Sequence, residues 1–410
     1  MKRGILQKIL GVLTKKIVGK YKPKVIAITG SVGKTSTKNA IALLFERYFT
    51  IWGKSGNLNT EFGVPLTFIG ADKGGEGSFS EWVKIIFAGV VLIFKKKRNY
   101  PEIVITEMGA DKPGDISYLT SLVSPDISVV TRIGDVPVHI QNYKGIEDLI
   151  NEKAEIVENT KPEGFVILNY DDISVRAMGK KTKAKPIYFG FGKEADVIIS
   201  EFNIETKVSS GKKIPYGSSF ELAYNNISQR IHLPYCIGKP FAYSVAAALA
   251  AGIAAELDLG RIADIFRDLK PEEGRMNLIE TQDYLVLNDT YNSSPVSVES
   301  ALETIKDLPV ERKIAVLGDM RELGSESLSA HRKIGEIVSQ VCDVLITVGD
   351  QSEEIKNAAL SKGMNLSDVS HFKSTSKVIG KIKSIAKPGD LILVKGSRLL
   401  KMEEIVREIT

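Results

Sequence analysis

Cysteine is scarce: only Cys236 and Cys342 occur in 410 residues, each within an apolar run. Two such thiols build neither a disulfide framework nor a cysteine-based zinc site, and they suit a reducing cytoplasm. No apolar run reaches the roughly 18 to 20 residues that a membrane span needs. A net charge of +5 is too mild to imply a nucleic-acid partner. Short-period repeats and low-complexity segments are lacking. The N-terminal stretch does not read as a signal peptide, because lysines interrupt its apolar residues and no small-residue cleavage site follows.

Two segments are apolar without being long. Residues 1–22, "MKRGILQKILGVLTKKIVGKYK", set Ile5, Ile9, Leu13 and Ile17 at helical spacing with lysines between them. Residues 79–98 carry a short apolar run that ends in a basic cluster. Apolar stripes usually face a protein's own core, so both are expected as helices packed on the body. The alternative is peripheral contact with an anionic membrane surface.

With 43% hydrophobic and 26% charged residues, the chain reads as ordinary globular protein, long enough for two or three domains. From residue 25, short apolar strands alternate with helical stretches: "KVIAITG" and "TSTKNAIALLFERYF", then "EIVITEMG", "DISVVTRIG" and "GFVILNYDD". That alternation predicts an α/β fold, a mostly parallel sheet flanked by helices. Residues 194–235 change texture into shorter alternating pieces, read as a small antiparallel extension, before a small-residue helix, "YSVAAALAAGIAAEL". A charged hinge, "LKPEEGRMN", precedes a second alternation through "YLVLNDTYN", "KIAVLGDM", "DVLITVGD" and "DLILVKGS". The expected division is a basic amphipathic segment at 1–24, a P-loop central domain at 25–270 and a Rossmann-like α/β domain at 271–410.

Between the first strand and its helix lies "TGSVGKTST". A loop in that position points backbone N–H groups and the positive helix end at phosphate oxygens. Gly30, Ser31, Gly33, Lys34, Thr35 and Ser36 are therefore the expected ATP-binding residues. Lys34 is placed to reach the β- and γ-phosphates, and the Thr35 hydroxyl to hold Mg2+. Gly30 and Gly33 stand three positions apart, closer than in the common G-x-x-x-x-G-K-[ST] loop.

Glu107 closes the apolar strand "IVITE" and points from the carboxyl edge of the sheet, where ligands of α/β folds sit. A carboxylate there suits a metal ion beside Thr35; a helix-capping acid is the alternative. His139, one of four histidines, follows another strand end, and taken alone it is more often structural than metal-binding. Lys153 in "NEKAEIVE", taken alone, reads as a solvated helix lysine.

The compressed loop resembles that of the Mur ligases, ATP-dependent amide-forming enzymes of peptidoglycan synthesis. The likeness recurs in order along the chain. "GNLNTEFGVPLT" at 56–67, "EMGADKPGDISYL" at 107–119, "NDTYNSSPVSVESAL", "AVLGDMRELG" and "LVKGSRLLKME" are similar to the branch that adds D-alanyl-D-alanine. The resemblance implies that ATP phosphorylates a peptide carboxylate to an acyl phosphate, which an amine then attacks. Such a site needs Mg2+ and cations more than a protein nucleophile.

The resemblance further implies catalytic roles for Lys34, Glu107, His139 and Lys153, with Thr35, Glu107, His139 and Lys153 serving the metal. It implies carbamylation of Lys153 by CO2, since Glu155 and Ile156 match as well. Arg275 and Asp289 resemble the pair that reaches the nucleotide from the hinge and second domain, Arg for phosphate and Asp for a ribose hydroxyl. Asn292 is expected at the adenine or ribose. Asn57 and Asn59 are expected on the acceptor and metal side, and Lys395 and Arg398 at the carboxylate of the incoming dipeptide.

The partners implied are a peptidoglycan-precursor peptide and a D-Ala-D-Ala-like amine, handled by a cytoplasmic monomer. Val138 departs from the small residue usual before the histidine, and Tyr243 replaces an adenine-reading asparagine with a ring able to stack on a base. About 24 residues precede the first strand, so the family's sugar-holding N-terminal domain is expected to be absent. The acceptor is then UDP-linked and held by its peptide end, or lipid-linked. Two other readings compete: a folylpolyglutamate or poly-amino-acid ligase, and a non-catalytic nucleotide-binding subunit at the membrane surface. "DTYNSSP" and "LGDMRELG" weigh against the first, and retention of Lys34, Glu107, His139 and Lys153 against the second.

Overall fold

Two sheets carry the chain. The computed structural model describes residues 3–54, 58–74, 78–95, 99–209, 211–225, 227–260 and 262–410. The first sheet holds β1 (Lys24–Thr29), β2 (Ile51–Trp52), β3 (Ile103–Glu107), β4 (Ile127–Val130), β5 (Phe165–Asn169), β6 (Lys185–Gly190), β7 (Val197–Ser209), β8 (Lys212–Tyr224) and β9 (Ile227–Leu233). Its order is β2-β3-β1-β4-β5-β6-β7-β8-β9. Pairing is parallel as far as β7 and antiparallel across β7, β8 and β9. The antiparallel extension read from the sequence thus continues the parallel sheet. Strands covered on both faces bury every side chain and read as unbroken apolar runs, as all of β3 and β4 do here.

Seven helices matter below: α1 (Arg3–Tyr21), α2 (Lys34–Phe45), α3 (Gly63–Ile69), α4 (Phe79–Phe94), α5 (Ile146–Glu158), α6 (Lys239–Ala254) and α7 (Pro295–Lys306). The small-residue helix is α6, with Ala246, Ala247 and Ala250 fully buried. Methyl side chains at a helix contact let two axes approach closely, and α6 packs directly on α2.

Both apolar segments are helices packed beside the first sheet, where Leu6, Leu10, Leu13 and Ile17 meet Ile69 and Leu92. This corrects the stripe read from the sequence: Leu6 and Leu10 face inward, while Ile5 is 51% exposed. The reason is geometric. Steps of four along a helix drift around it, whereas the alternating steps from 6 to 10 to 13 to 17 stay on one line. Among the described residues no helix is long and apolar enough to cross a membrane.

The second sheet comprises β10 (Asn277–Glu280), β11 (Leu285–Asn288), β12 (Arg312–Gly318), β13 (Val344–Val348), β14 (Val369–Phe372) and β15 (Asp390–Lys395). Its order is β10-β11-β15-β12-β13-β14, parallel except between β10 and β11. The edge strand β14, "VSHF", is half-buried and too polar to show as an apolar run. The largest buried apolar cluster runs from the first sheet into the second, so a cleft between the two is held by continuous packing.

Candidate active site

The strand β1 delivers the chain to Gly30 at the carboxyl edge of the first sheet. Gly30 has φ +140°, and a Cβ there would lie 2.0 Å from Thr131 Oγ1, so glycine is required. Gly33, at φ +90°, precedes α2, and among the described residues no side chain caps that helix. Its first-turn N–H groups open on a cleft lined by Ser31, Gly33, Lys34, Thr35 and Ser36. The loop's far side is clamped to the end of β4. Ser31 and Val32 donate to the Arg132 carbonyl at 2.7 and 3.1 Å, and the Thr131 hydroxyl donates to the Val32 carbonyl at 2.7 Å. Among the described residues the buried Ser31 hydroxyl has no hydrogen-bond partner, which leaves a polar group for a ligand to meet.

Lys34 and Lys153 both donate to the Gly30 carbonyl, at 2.7 and 3.2 Å. Lys153, on α5, is only 4% exposed, which overturns the solvated-lysine reading of its sequence context. Burial, and then the charge of Lys34, lower its pKa to about 7. Burial also lowers the pKa of Lys34, while Glu107 opposes that shift.

Glu107, at the end of β3, is 3% exposed. Its Oε2 accepts from the Thr35 hydroxyl at 3.3 Å. Its Oε1 lies 3.2 Å from Lys38 Nζ but outside hydrogen-bond geometry. A buried carboxylate oxygen with unused acceptor capacity, beside a hydroxyl, is a hard-oxygen pair that fits Mg2+. Among the described residues no group of three or more His, Cys, Asp or Glu gathers to hold a metal. Glu107 and Thr35 fit a cation that takes its other ligands from phosphate and water, as Mg2+ does.

His139 lines the same cleft with φ +68°. Its Nε2 lies 3.3 Å from Asp111 Oδ1, and its Nδ1 lies 2.9 Å from Glu322 Oε2 in the loop after β12. The ring thus ties one lobe to the other. From the hinge, Arg275 stacks its guanidinium 3.9 Å from the Tyr291 ring centroid, and its Nε lies 3.6 Å from Glu272. Glu272 in turn accepts from Asn39 of α2 at 2.9 Å. Asp289 accepts from the Met276 N–H at 3.2 Å and from Lys395 at 2.6 Å. Lys395 also donates to the Asn292 carbonyl at 3.0 Å.

Lys34, Thr35, Glu107, His139, Arg275, Asp289, Asn292 and Asn59 line one cleft, and Lys153 adjoins it through Gly30. Other expected residues are held by contacts within the protein. Lys395 reaches the cleft wall, but it is 2% exposed and paired with Asp289, so it is not a free cation awaiting a carboxylate. The Arg398 side chain is 64% exposed, 3.8 Å from Glu403 and 5.5 Å from the ring centroid of the cleft-lining Tyr291, so it stands at the rim of the cleft. Both Asp289 oxygens are engaged within the protein. The Tyr243 hydroxyl donates to Asp171 at 2.8 Å while its ring meets Phe191 edge-on, so it does not face the cleft. Asn57 lies outside the described residues.

The sequence reading missed Lys38, Asp111, Glu322 and the serine wall formed by Ser293, Ser297 and Ser300. Asp111 and Glu322 sit inside "EMGADKPGDISYL" and "AVLGDMRELG", so the segments carried the signal although the residues did not stand out. Lys38 follows Lys34 by one helical turn and resembled any helix lysine.

Residues 88–252 match the Mur ligase middle domain, and residues 274–398 match the Mur ligase glutamate ligase domain. The chain is 30% identical over 390 residues to the UDP-N-acetylmuramoyl-tripeptide--D-alanyl-D-alanine ligase of Bacillus subtilis (strain 168), a match covering 94% of this chain and 76% of that one. A crystal structure of MurF from Acinetobacter baumannii matches with a TM-score of 0.80 at 25% identity, covering 98% of this chain and 79% of that one. The MurF ligase of Thermotoga maritima, solved in complex with ADP, has the same fold, with a TM-score of 0.79 at 23% identity over 98% of this chain and 83% of that one.

Proposed function

Because this chain belongs to the Mur ligase family, we propose that it uses ATP to join D-alanyl-D-alanine, or a closely similar amine, to the free carboxylate of a cell-wall precursor peptide. The observation that carries this reading is the convergence of Lys34, Glu107 and His139 with Arg275 and Asp289 on one cleft. In this reading residues 25–270 bind ATP and residues 271–410 close over it.

The reaction asks for little covalent chemistry from the protein. A peptide carboxylate oxygen attacks the γ-phosphorus, the bond to the β,γ-bridging oxygen breaks, and ADP leaves. The amine then attacks the acyl carbon, inorganic phosphate departs, and the nitrogen gives up a proton. Positioning and charge neutralisation do most of the work. Lys34 and the N-terminus of α2 hold the β- and γ-phosphates, and Arg275 approaches from the hinge. Mg2+, held by Thr35 and Glu107 with His139 near, would neutralise charge on the terminal phosphate. Lys395 keeps Asp289 oriented toward the nucleotide's sugar.

Carbamylation of Lys153 belongs to the same proposal. CO2 reacts with a neutral amine, forming an N–C bond and releasing a proton. A pKa lowered to about 7 leaves much of the Lys153 amine neutral near pH 7.

The test is an amine screen for phosphate release with UDP-muramoyl tripeptide as acceptor. Release with D-Ala-D-Ala and not with single amino acids is expected. Release with glutamate instead would move the chain to another branch of the family.

A further inference from the structure

The helix α4 has two apolar faces. One is buried against α1 and α3: a Cβ built on Gly89 would meet Leu13 and Ile69 at 3.1 and 3.4 Å. The other is open. Phe79, Val83, Phe87 and Phe94 are 66, 47, 67 and 83% exposed. At about 100° per residue these four fall within an arc of about 80°, so they form one stripe four turns long. A contiguous stripe of exposed phenylalanine marks a contact surface rather than scattered surface residues.

Charge says what covers it. The chain has 55 Lys and Arg against 50 Asp and Glu. The helices α1 and α4 hold six of the former (Arg3, Lys8, Lys15, Lys16, Lys20 and Lys84) and one of the latter, Glu81. Without them the remainder balances at 49 against 49, so these two helices account for the whole net charge. They also run side by side in the same direction. Arg3 stacks on Phe62, which meets Trp82 near the start of α4, and Lys20 donates to the Leu92 and Ile93 carbonyls near its end. An apolar stripe beside a helix with no acidic residue is the pattern of an interfacial membrane anchor.

We propose that α1 and α4 dock this protein on the surface of an anionic lipid bilayer, with the Phe79–Phe94 stripe entering the boundary between headgroups and acyl chains. Neither helix is long and apolar enough to cross the bilayer. The cleft lies close by, since Arg3 pairs at 3.2 Å with Glu61, two residues from the cleft-lining Asn59. Docking is independent of the ligation reading and is measured without turnover.

The test floats the full chain with vesicles of phosphatidylglycerol and phosphatidylcholine in equal parts, and with vesicles of phosphatidylcholine alone. Recovery with the anionic vesicles is expected, falling as salt rises. The double variant Phe87→Ser/Phe94→Ser is expected to lower partitioning about a hundredfold, about tenfold for each exposed ring, with unchanged thermal melting. Lys8→Glu/Lys15→Glu is expected to weaken the anionic binding alone. Absence of flotation at low salt, or flotation that the phenylalanine variant leaves intact, overturns the proposal. So does a dimer in sedimentation velocity that this variant dissociates while vesicles stay unbound, because a second copy then covers the stripe.

Discussion

The Lys34 and Lys153 ammonium groups converge on a single carbonyl oxygen, that of Gly30, at 2.7 and 3.2 Å. One comes from the helix after the phosphate loop and the other from a helix more than a hundred residues later. Burial, and then the charge of Lys34, raise the cost of keeping Lys153 charged.

The buried lysine leaves a signature in stability. Folded Lys153 loses its proton at about 7, whereas an unfolded lysine keeps it to 10.5. Between those values the unfolded chain binds more protons, so stability rises with pH across the window, and the penalty is full below it. Lys153→Met removes this contribution. The denaturation midpoint, followed in CO2-free buffer, is expected to climb less steeply across the window than in the parent chain. An unchanged slope contradicts a buried neutral amine.

Lys34→Met is expected to slow ADP release about a hundred- to a thousandfold, the usual effect of losing a buried charge that stabilises a transition state. Lys34→Arg is expected to fail nearly as badly, because the planar guanidinium does not fit the space of a compact ammonium. Parental turnover in Lys34→Met removes Lys34 from the phosphate site, whereas parental turnover in Lys34→Arg removes only the need for a compact ammonium.

Glu107 and Lys38 form a pair that separates structure from function. Glu107→Gln leaves Lys38 buried beside a neutral amide, and a loss of about 3 kcal/mol in unfolding free energy is expected. Adding Lys38→Met is expected to recover most of that loss while ligation stays absent. Restored ligation in the double variant assigns Glu107 a purely structural role.

The contact between His139 and Glu322 at 2.9 Å bridges the lobes at a partly exposed position. Such pairs are worth about 1 kcal/mol or less. Glu322→Gln is accordingly expected to lower kcat/KM for ATP up to about fivefold, with little change in melting temperature. A loss of a hundredfold or more indicates that Glu322 acts on the reacting groups themselves.

Tyr243→Phe removes the donor to Asp171. A stability loss of about 1 kcal/mol is expected, with the preference for ATP over GTP unchanged. A shifted base preference restores the stacking role that its position in the sequence suggested.

The compressed phosphate loop was legible because its geometry is local: Gly30 and Gly33 hold positive φ within a few residues of the strand and helix they join. Glu107 was legible because an acid closing an apolar strand points from the sheet edge, and the structure puts Thr35 3.3 Å from it. Lys153 was not legible from its own context, since its burial depends on the Gly30 carbonyl, distant in sequence. The inward stripe of α1 was half legible. Leu13 and Ile17 do face inward as read, but steps of four drift around a helix, so Leu6 and Leu10 replace Ile5 and Ile9 at the buried line.

The sequence by itself determined the alternation of the apolar strands with helices, the α/β class and the phosphate loop, because alternation, apolar period and glycine conformation act over a few neighbouring residues. Only the tertiary structure decided which cations stay free and which are paired: Lys395 with Asp289, Lys38 with Glu107, and the Lys153 amine near neutrality. Charge in a protein is set by desolvation and by partners brought from distant parts of the chain. Those partners acquire positions only when the two sheets close on one cleft.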